Sequence, residues 1–218
     1  MSKDSAEDLH KQFRLIREKS NFSEDHRIRI HRAISWLKCA ENYYDSDGDL
    51  AVIALWISFN SCYSIDAENK SPTPEKLKVK HLIEKLISHD NEKLIHGLLF
   101  EKYLEEVKRL INNKYIFGPF WKAQKDSTVD WMASFTIARR VARRSLEQGK
   151  TELLLSIIID RLYVLRNQLI HGGATYQGAV NREQIEDAKG LLIELIPIII
   201  KTMFSKEDWG EITYPVVS

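Results

Sequence analysis

The sequence predicts an all-α fold, and three observations carry that reading. Apolar residues recur at helical spacing through most long segments, and none keeps the strict alternation of a half-buried strand. Glycine and proline are scarce, 9 and 5 in 218 residues, which argues against a turn-rich β-sandwich and against disorder. Cap and turn signals divide the chain into pieces of helix length. The expected architecture is a helical bundle with additional peripheral helices, and no internal repeat is visible. A chain of this length buries a sizeable core without a disulfide or a metal to staple it.

Residues 1–22 are highly charged, with Leu9, Phe13, Ile16 and Leu15 read as a thin apolar stripe, so they predict an amphipathic helix that packs loosely or frays. The remainder, 23–218, reads as one domain. Ser23 followed by Glu24 and Asp25 starts a helix that runs to about Tyr44 and turns Ile30, Ile34 and Leu37 to the core. Asp45-Ser46-Asp47-Gly48-Asp49 is a turn. Its carboxylates alternate as in a calcium loop, but the run is short and lacks the distal bidentate glutamate. Leu50 to Ile65 is apolar nearly all round and predicts a central helix. Asn60 inside it needs a hydrogen-bond partner, either as a structural bridge or in support of a site.

Asn69 to Pro74 reads as a short linker, followed by helices over about Pro74 to Ser88 and Asn91 to Ile111. Phe117-Gly118-Pro119-Phe120-Trp121 is an aromatic corner, and helix resumes from about Ser127 to Gln148. Gly149 and Lys150 separate it from a long helix that stops at Gly172-Gly173. Asn181, with Gln184 three residues on, predicts the cap of a last helix running to about Phe204 and kinked at Pro197. The aromatic tail around Trp209 and Tyr214 is expected to dock on the helices. Trp56, Trp121, Trp131 and Trp209 read as core residues rather than base-stacking platforms.

The bulk chemistry excludes more than it assigns. A net charge of +1 makes no general case for nucleic acid, so any basic surface is local. Cys39 and Cys62 lack metal-type spacing and read as reduced thiols. His26, His31, His81, His89 and His96 are scattered with no carboxylate spacing for zinc, and no glycine-rich phosphate loop or serine elbow occurs, so neither metal nor cofactor is expected. Met1 to Ser5 is polar, and the longest apolar run, Leu191 to Met203, is interrupted by Glu194, Pro197 and Lys201. The expectation is a cytoplasmic protein that does not enter the membrane.

The segment with chemistry is Arg161 to Gly173. At about 100° per residue, Ser156, Asp160, Tyr163, Asn167 and His171 share one narrow stripe of an otherwise apolar helix. Such a stripe needs water, another helix or a ligand. Arg166 lies five residues before His171, about 140° away around the helix. One chain therefore does not obviously bring both to one atom, whereas two copies packed across a twofold axis would share a cleft. The residues also fit a simpler structural reading, with Arg166 in a salt bridge, Asn167 bridging helices and His171 at the helix C-terminus. A second basic feature is the set Arg139, Arg140, Arg143 and Arg144, which reads either as a solvated face or as an RNA-binding strip.

Arg166-Asn167-Gln168-Leu169-Ile170-His171 resembles the arginine, polar residue, three more residues, histidine motif of the HEPN superfamily (higher eukaryotes and prokaryotes nucleotide-binding). The wider text from Arg161 to Tyr176 and Val180 to Gln184, Leu55 to Asn60, and Trp209-Gly210 with Tyr214-Pro215 is similar to a group of bacterial members near the Apea-like branch. The likeness covers roughly His26 to the end. It implies a HEPN-like helical bundle and a metal-independent RNA endonuclease acting as a homodimer through the 160–176 region. In toxin–antitoxin or phage-defence settings such proteins are paired with an antitoxin or a neighbouring regulatory protein. Under this resemblance His171 is the general base, Arg166 stabilises charge on the phosphate and Asn167 orients them, with Asp160, Tyr163 and Asn60 in support. The alternative it leaves is a non-catalytic RNA-binding or dimeric assembly module.

Overall fold

The computed structural model describes residues 4–63, 75–205, 209, 210 and 212, and it is all-helical over them. The order is α1 (Ala6–Glu18), α2 (Glu24–Tyr43), α3 (Gly48–Tyr63), α4 (Glu75–His89), α5 (Leu94–Gly97), α6 (Leu104–Asn112), α7 (Gly118–Ala123), α8 (Trp131–Glu147), α9 (Thr151–Ile170) and α10 (Arg182–Thr202). A π-helical turn, Leu98–Lys102, joins α5 to α6, and a 3-10 turn, Lys114–Ile116, precedes α7.

Local chemistry starts the helices. Ser5 and Asp8 form a reciprocal capping box on α1, and the Ser23 side chain accepts from the His26 N–H at the start of α2. Rather than fraying, α1 buries Leu9 and Phe13, and the Phe13 ring stacks on Phe22 and Phe204. Leu15 points outward, 63% exposed, so the α1 stripe is narrower than its apolar content.

As its all-round apolarity predicts, α3 is central. Leu55, Trp56 and Phe59 are fully buried between α2, α10 and α9. The polar atoms taken into this core have partners. Ser58 Oγ donates to the Ala33 carbonyl at 2.6 Å, and Arg29 donates to the carbonyls of Cys62 at 3.0 Å and Gly210 at 2.8 Å. The second of these bonds ties down the tail, where Trp209 is buried and the Ile212 N–H donates to Asp25. Tyr214 and the 69–74 linker lie outside the described residues. Both cysteines are free thiols, and burial pushes Cys62 up to about 12.

Three expectations about helix bounds and caps need correction. The single helix read over 91–111 is interrupted, because the Tyr103 N–H bonds to the Leu98 carbonyl five residues back and widens one turn. That turn places Lys102 and Tyr103 on Glu194 of α10, at 2.6 and 3.1 Å. The helix read from Ser127 starts at Trp131, because Asp130 caps it by accepting from the Ala133 N–H. Asn181 does not cap α10: its backbone is left-handed (φ 64°), and its amide donates to Gln168 instead.

The periphery differs from the core in kind. Among the residues of α8 only Ala142 and Ser145 are buried, while Met132 and Ile137 stand more than half exposed. Trp121, read as core, is exposed, and Trp131 is half-buried against Phe120.

Candidate functional site

The long helix α9 carries the candidate residues, and Gly172 (φ 70°) ends it in the left-handed conformation that a side chain would resist. Arg166 turns inward, its side chain 13% exposed. Its guanidinium carbon lies 4.9 Å from the Tyr163 ring centre and 5.3 Å from that of Trp56. Nη1 donates to Asn167 Oδ1 at 2.9 Å, and Nη2 donates to Glu75 Oε1 at 3.3 Å. The buried Nε has no acceptor among the described residues.

Glu75, the first residue of α4, is the hub of this arrangement. The Tyr63 hydroxyl donates to the same Oε1 at 2.6 Å, and Tyr63 Oη also lies 2.5 Å from the Asn60 amide oxygen position. One hydroxyl proton serves one acceptor, and the carboxylate takes it, so the amide meets Tyr63 through its NH2 group. Burial first, then the Glu75 carboxylate, pushes the Tyr63 phenol well above its ordinary value. Tyr63 therefore stays a neutral donor that holds Glu75 against Arg166.

The structure thus brings together Arg166, Asn167, Tyr163 and, through Tyr63 and Glu75, Asn60. It does not bring in Asp160, which is exposed and faces Lys76 at 3.4 Å. His171 is also apart: its backbone N–H closes the helix on the Asn167 carbonyl, while its side chain is exposed with no hydrogen bond among the described residues. Sequence reasoning missed Glu75 and Tyr63. A glutamate opening a helix reads as a favourable first-turn charge, and a tyrosine in an apolar run reads as core; only the fold joins them.

The loop after His171 is firmly anchored. The Tyr176 hydroxyl donates to Asp47, the Gln177 N–H to Asp49 at 2.7 Å, and Arg182 to Asp49 at 2.6 Å. The carboxylates that alternate in the 45–49 turn thus serve as a clamp on this loop. Burial alone would raise the Asp47 carboxyl, but bonds from the Leu50 N–H, Tyr176 and Gln177 outweigh it and lower it. Gln168 completes the anchoring by donating to the Tyr115 carbonyl and accepting from Asn181, both at 2.6 Å.

The basic strip divides. Arg139, Arg140 and Arg143 line a groove of about 480 Å³ between α6 and α8, facing Lys108, Ile111 and Asn112, whereas Arg144 does not line it. Arg161, one turn and a half before Arg166, is buried against Phe117 at 4.4 Å and Phe135 at 5.7 Å. It makes no hydrogen bond or ion pair among the described residues, and burial pushes its guanidinium down to about 10.

Compared with models of known families, with curated proteins and with solved structures, the chain gives no match. Among the described residues no helix is long and apolar enough to cross a membrane, and no group of three His, Cys, Asp or Glu could hold a metal ion.

Proposed function

We propose that this chain is a HEPN-type ribonuclease, a helical bundle to which α7 and α8 are peripheral, acting as a cytoplasmic homodimer without a metal. The observation that carries the reading is the Arg166–Asn167 pair, set by aromatic rings just before a helix stop that leaves His171 uncovered. A planar guanidinium fixed between rings loses little freedom on meeting a phosphate, and its fork suits two phosphate oxygens. An exposed imidazole leaves a ring nitrogen open to reach a ribose hydroxyl and take its proton.

In the reaction, His171 takes the ribose 2′-hydroxyl proton and the 2′-oxygen attacks the adjacent phosphorus. Arg166 meets the charge that builds on the phosphate, and the 5′-oxygen departs with a proton from solvent. The products are a 2′,3′-cyclic phosphate and a 5′-hydroxyl. Arg166 and His171 point about 140° apart on one helix, so the composite site is built from Arg166, Asn167 and His171 of both copies, meeting in a cleft across a twofold axis. Ile170 and Tyr176, exposed by 46% and 62%, supply apolar surface for that pairing through the 160–176 region. A toxin–antitoxin or phage-defence role, with an antitoxin or neighbouring regulator, goes with this reading.

The second reading, a non-catalytic RNA-binding or assembly module, is favoured by one observation: Glu75 already occupies Arg166. Cleavage of RNA in EDTA by wild type, Arg166→Ala and His171→Ala separates the two. The nuclease reading expects cyclic phosphate ends from wild type and losses of about a hundredfold or more in both variants. Equal RNA binding by all three with no cleavage would replace it with the module.

A further inference from the structure

We propose that the groove between α6 and α8 is a binding site for the phosphate of a nucleotide. It stands apart from the cleavage reading, because none of its lining residues touches Arg166, Asn167 or His171. The cations come from both walls: Arg139, Arg140 and Arg143 from α8, and Lys108 from α6. No carboxylate lines the groove.

Their present partners are weak competitors for an anion. Arg140 has no ion pair among the described residues. Arg143 meets only Glu147 on its own helix, at 3.5 Å with both side chains more than half exposed, and Lys108 meets only Glu105, also exposed. Arg139 is the ordered member. Its Nε donates across the groove to Asn112 Oδ1 at 2.6 Å, and its guanidinium lies 5.7 Å from the Phe135 ring centre. That leaves its outer nitrogens free for a phosphate oxygen.

The same ring also carries Arg161, which is buried and makes no ion pair among the described residues. Ile111 and Leu146 add apolar surface to the lining. Cations beside apolar lining suit a phosphate joined to a flat ring, and the groove volume lies within the range of small-ligand sites. An acidic peptide would use the cations and leave the apolar lining idle.

The test uses the full chain and a fluorescent twelve-nucleotide 2′-O-methyl RNA, which lacks the nucleophile, so that binding is read without cleavage. Arg140→Ala/Arg143→Ala is expected to weaken binding about tenfold and to lower the salt slope by about 1.4, at about 0.7 per phosphate contact on a single strand. Lys108→Ala acts in the same direction. Arg144→Ala removes a charge from the same helix outside the groove and is expected to change affinity less than about twofold. Competition by ATP distinguishes a free nucleotide from one held in a strand, and either outcome fits the site. Equal losses in Arg144→Ala and Arg140→Ala, or competition by polyglutamate as strong as by RNA, would overturn it. Because His171→Ala leaves the groove intact, lost cleavage with retained binding separates the fate of the two proposals.

Discussion

Replacing Arg161 by methionine is expected to stabilise the protein. The guanidinium is buried against two aromatic rings and makes no hydrogen bond or ion pair among the described residues, and the charge of neighbouring Asp160 offsets its burial only in part. Burial lowers it from 12.5 to about 10, which at about 1.4 kcal/mol per pH unit sets roughly 3 kcal/mol against the charged form. Stacking on Phe117 and Phe135 returns about 1–2 kcal/mol, and methionine keeps the packed stem and a favourable sulfur contact with the rings. The net expectation for Arg161→Met is a gain of about 1–2 kcal/mol, or about 3–6 °C in Tm for a chain of this size. Urea unfolding at pH 7 measures it as a higher midpoint with unchanged slope. The pH dependence gives an independent check. A cation whose folded-state pKa is depressed carries its full penalty below about 10, and the penalty fades between about 10 and 12.5. The advantage of the variant is therefore flat from pH 6 to 9 and shrinks above 10. A methionine variant less stable than wild type by 1 kcal/mol or more would falsify the claim that this charge lacks full compensation.

Two further predictions concern the surroundings of α9. Glu75→Gln removes the counter-ion of Arg166 and the charged acceptor of Tyr63, and urea unfolding should report a loss of about 1–3 kcal/mol, whereas an unchanged midpoint would show that the hub is ornamental. Asp47 is held below its ordinary 3.8 by its hydrogen bonds in spite of burial. A carboxyl depressed in the folded state adds stability above its unfolded value and loses it as pH falls through the folded one. Hydrogen exchange at the 174–181 amides should therefore accelerate selectively below about pH 4, and in Asp47→Asn that acid step should be absent; the same acid step in both proteins would rule out Asp47 as its source.

The class of fold was legible because helical periodicity is a local property and most helices here bury one face. The all-round apolarity of Leu50 to Tyr63 located the central helix for the same reason, since only a segment covered on every side tolerates that composition. What escaped depends on contacts between distant segments. The widened turn at 98–102 is set by Glu194, some ninety residues on, and the clamp at Asp47 and Asp49 by a loop at 176–182. Boundaries failed where a side chain had a better offer. Asn181 has the right chemistry for a cap, but Gln168 takes its amide.

The candidate site divides along the same line. Periodicity along α9 set Arg166 off from His171 and placed Tyr163 on the polar stripe, of which the fold turns the Tyr163 ring towards Arg166 while leaving Asp160 and His171 exposed. It could not show that Arg161 and Arg166, five residues apart, receive opposite treatment. Both are desolvated against rings, yet one pairs with Glu75 at 3.3 Å and the other makes no ion pair among the described residues, with Asp160 offsetting its burial only in part. A buried arginine with a carboxylate is a self-sufficient pair, while one without is a cost that persists through folding. In this chain that cost falls on Arg161, whose removal in Arg161→Met should therefore stabilise the fold.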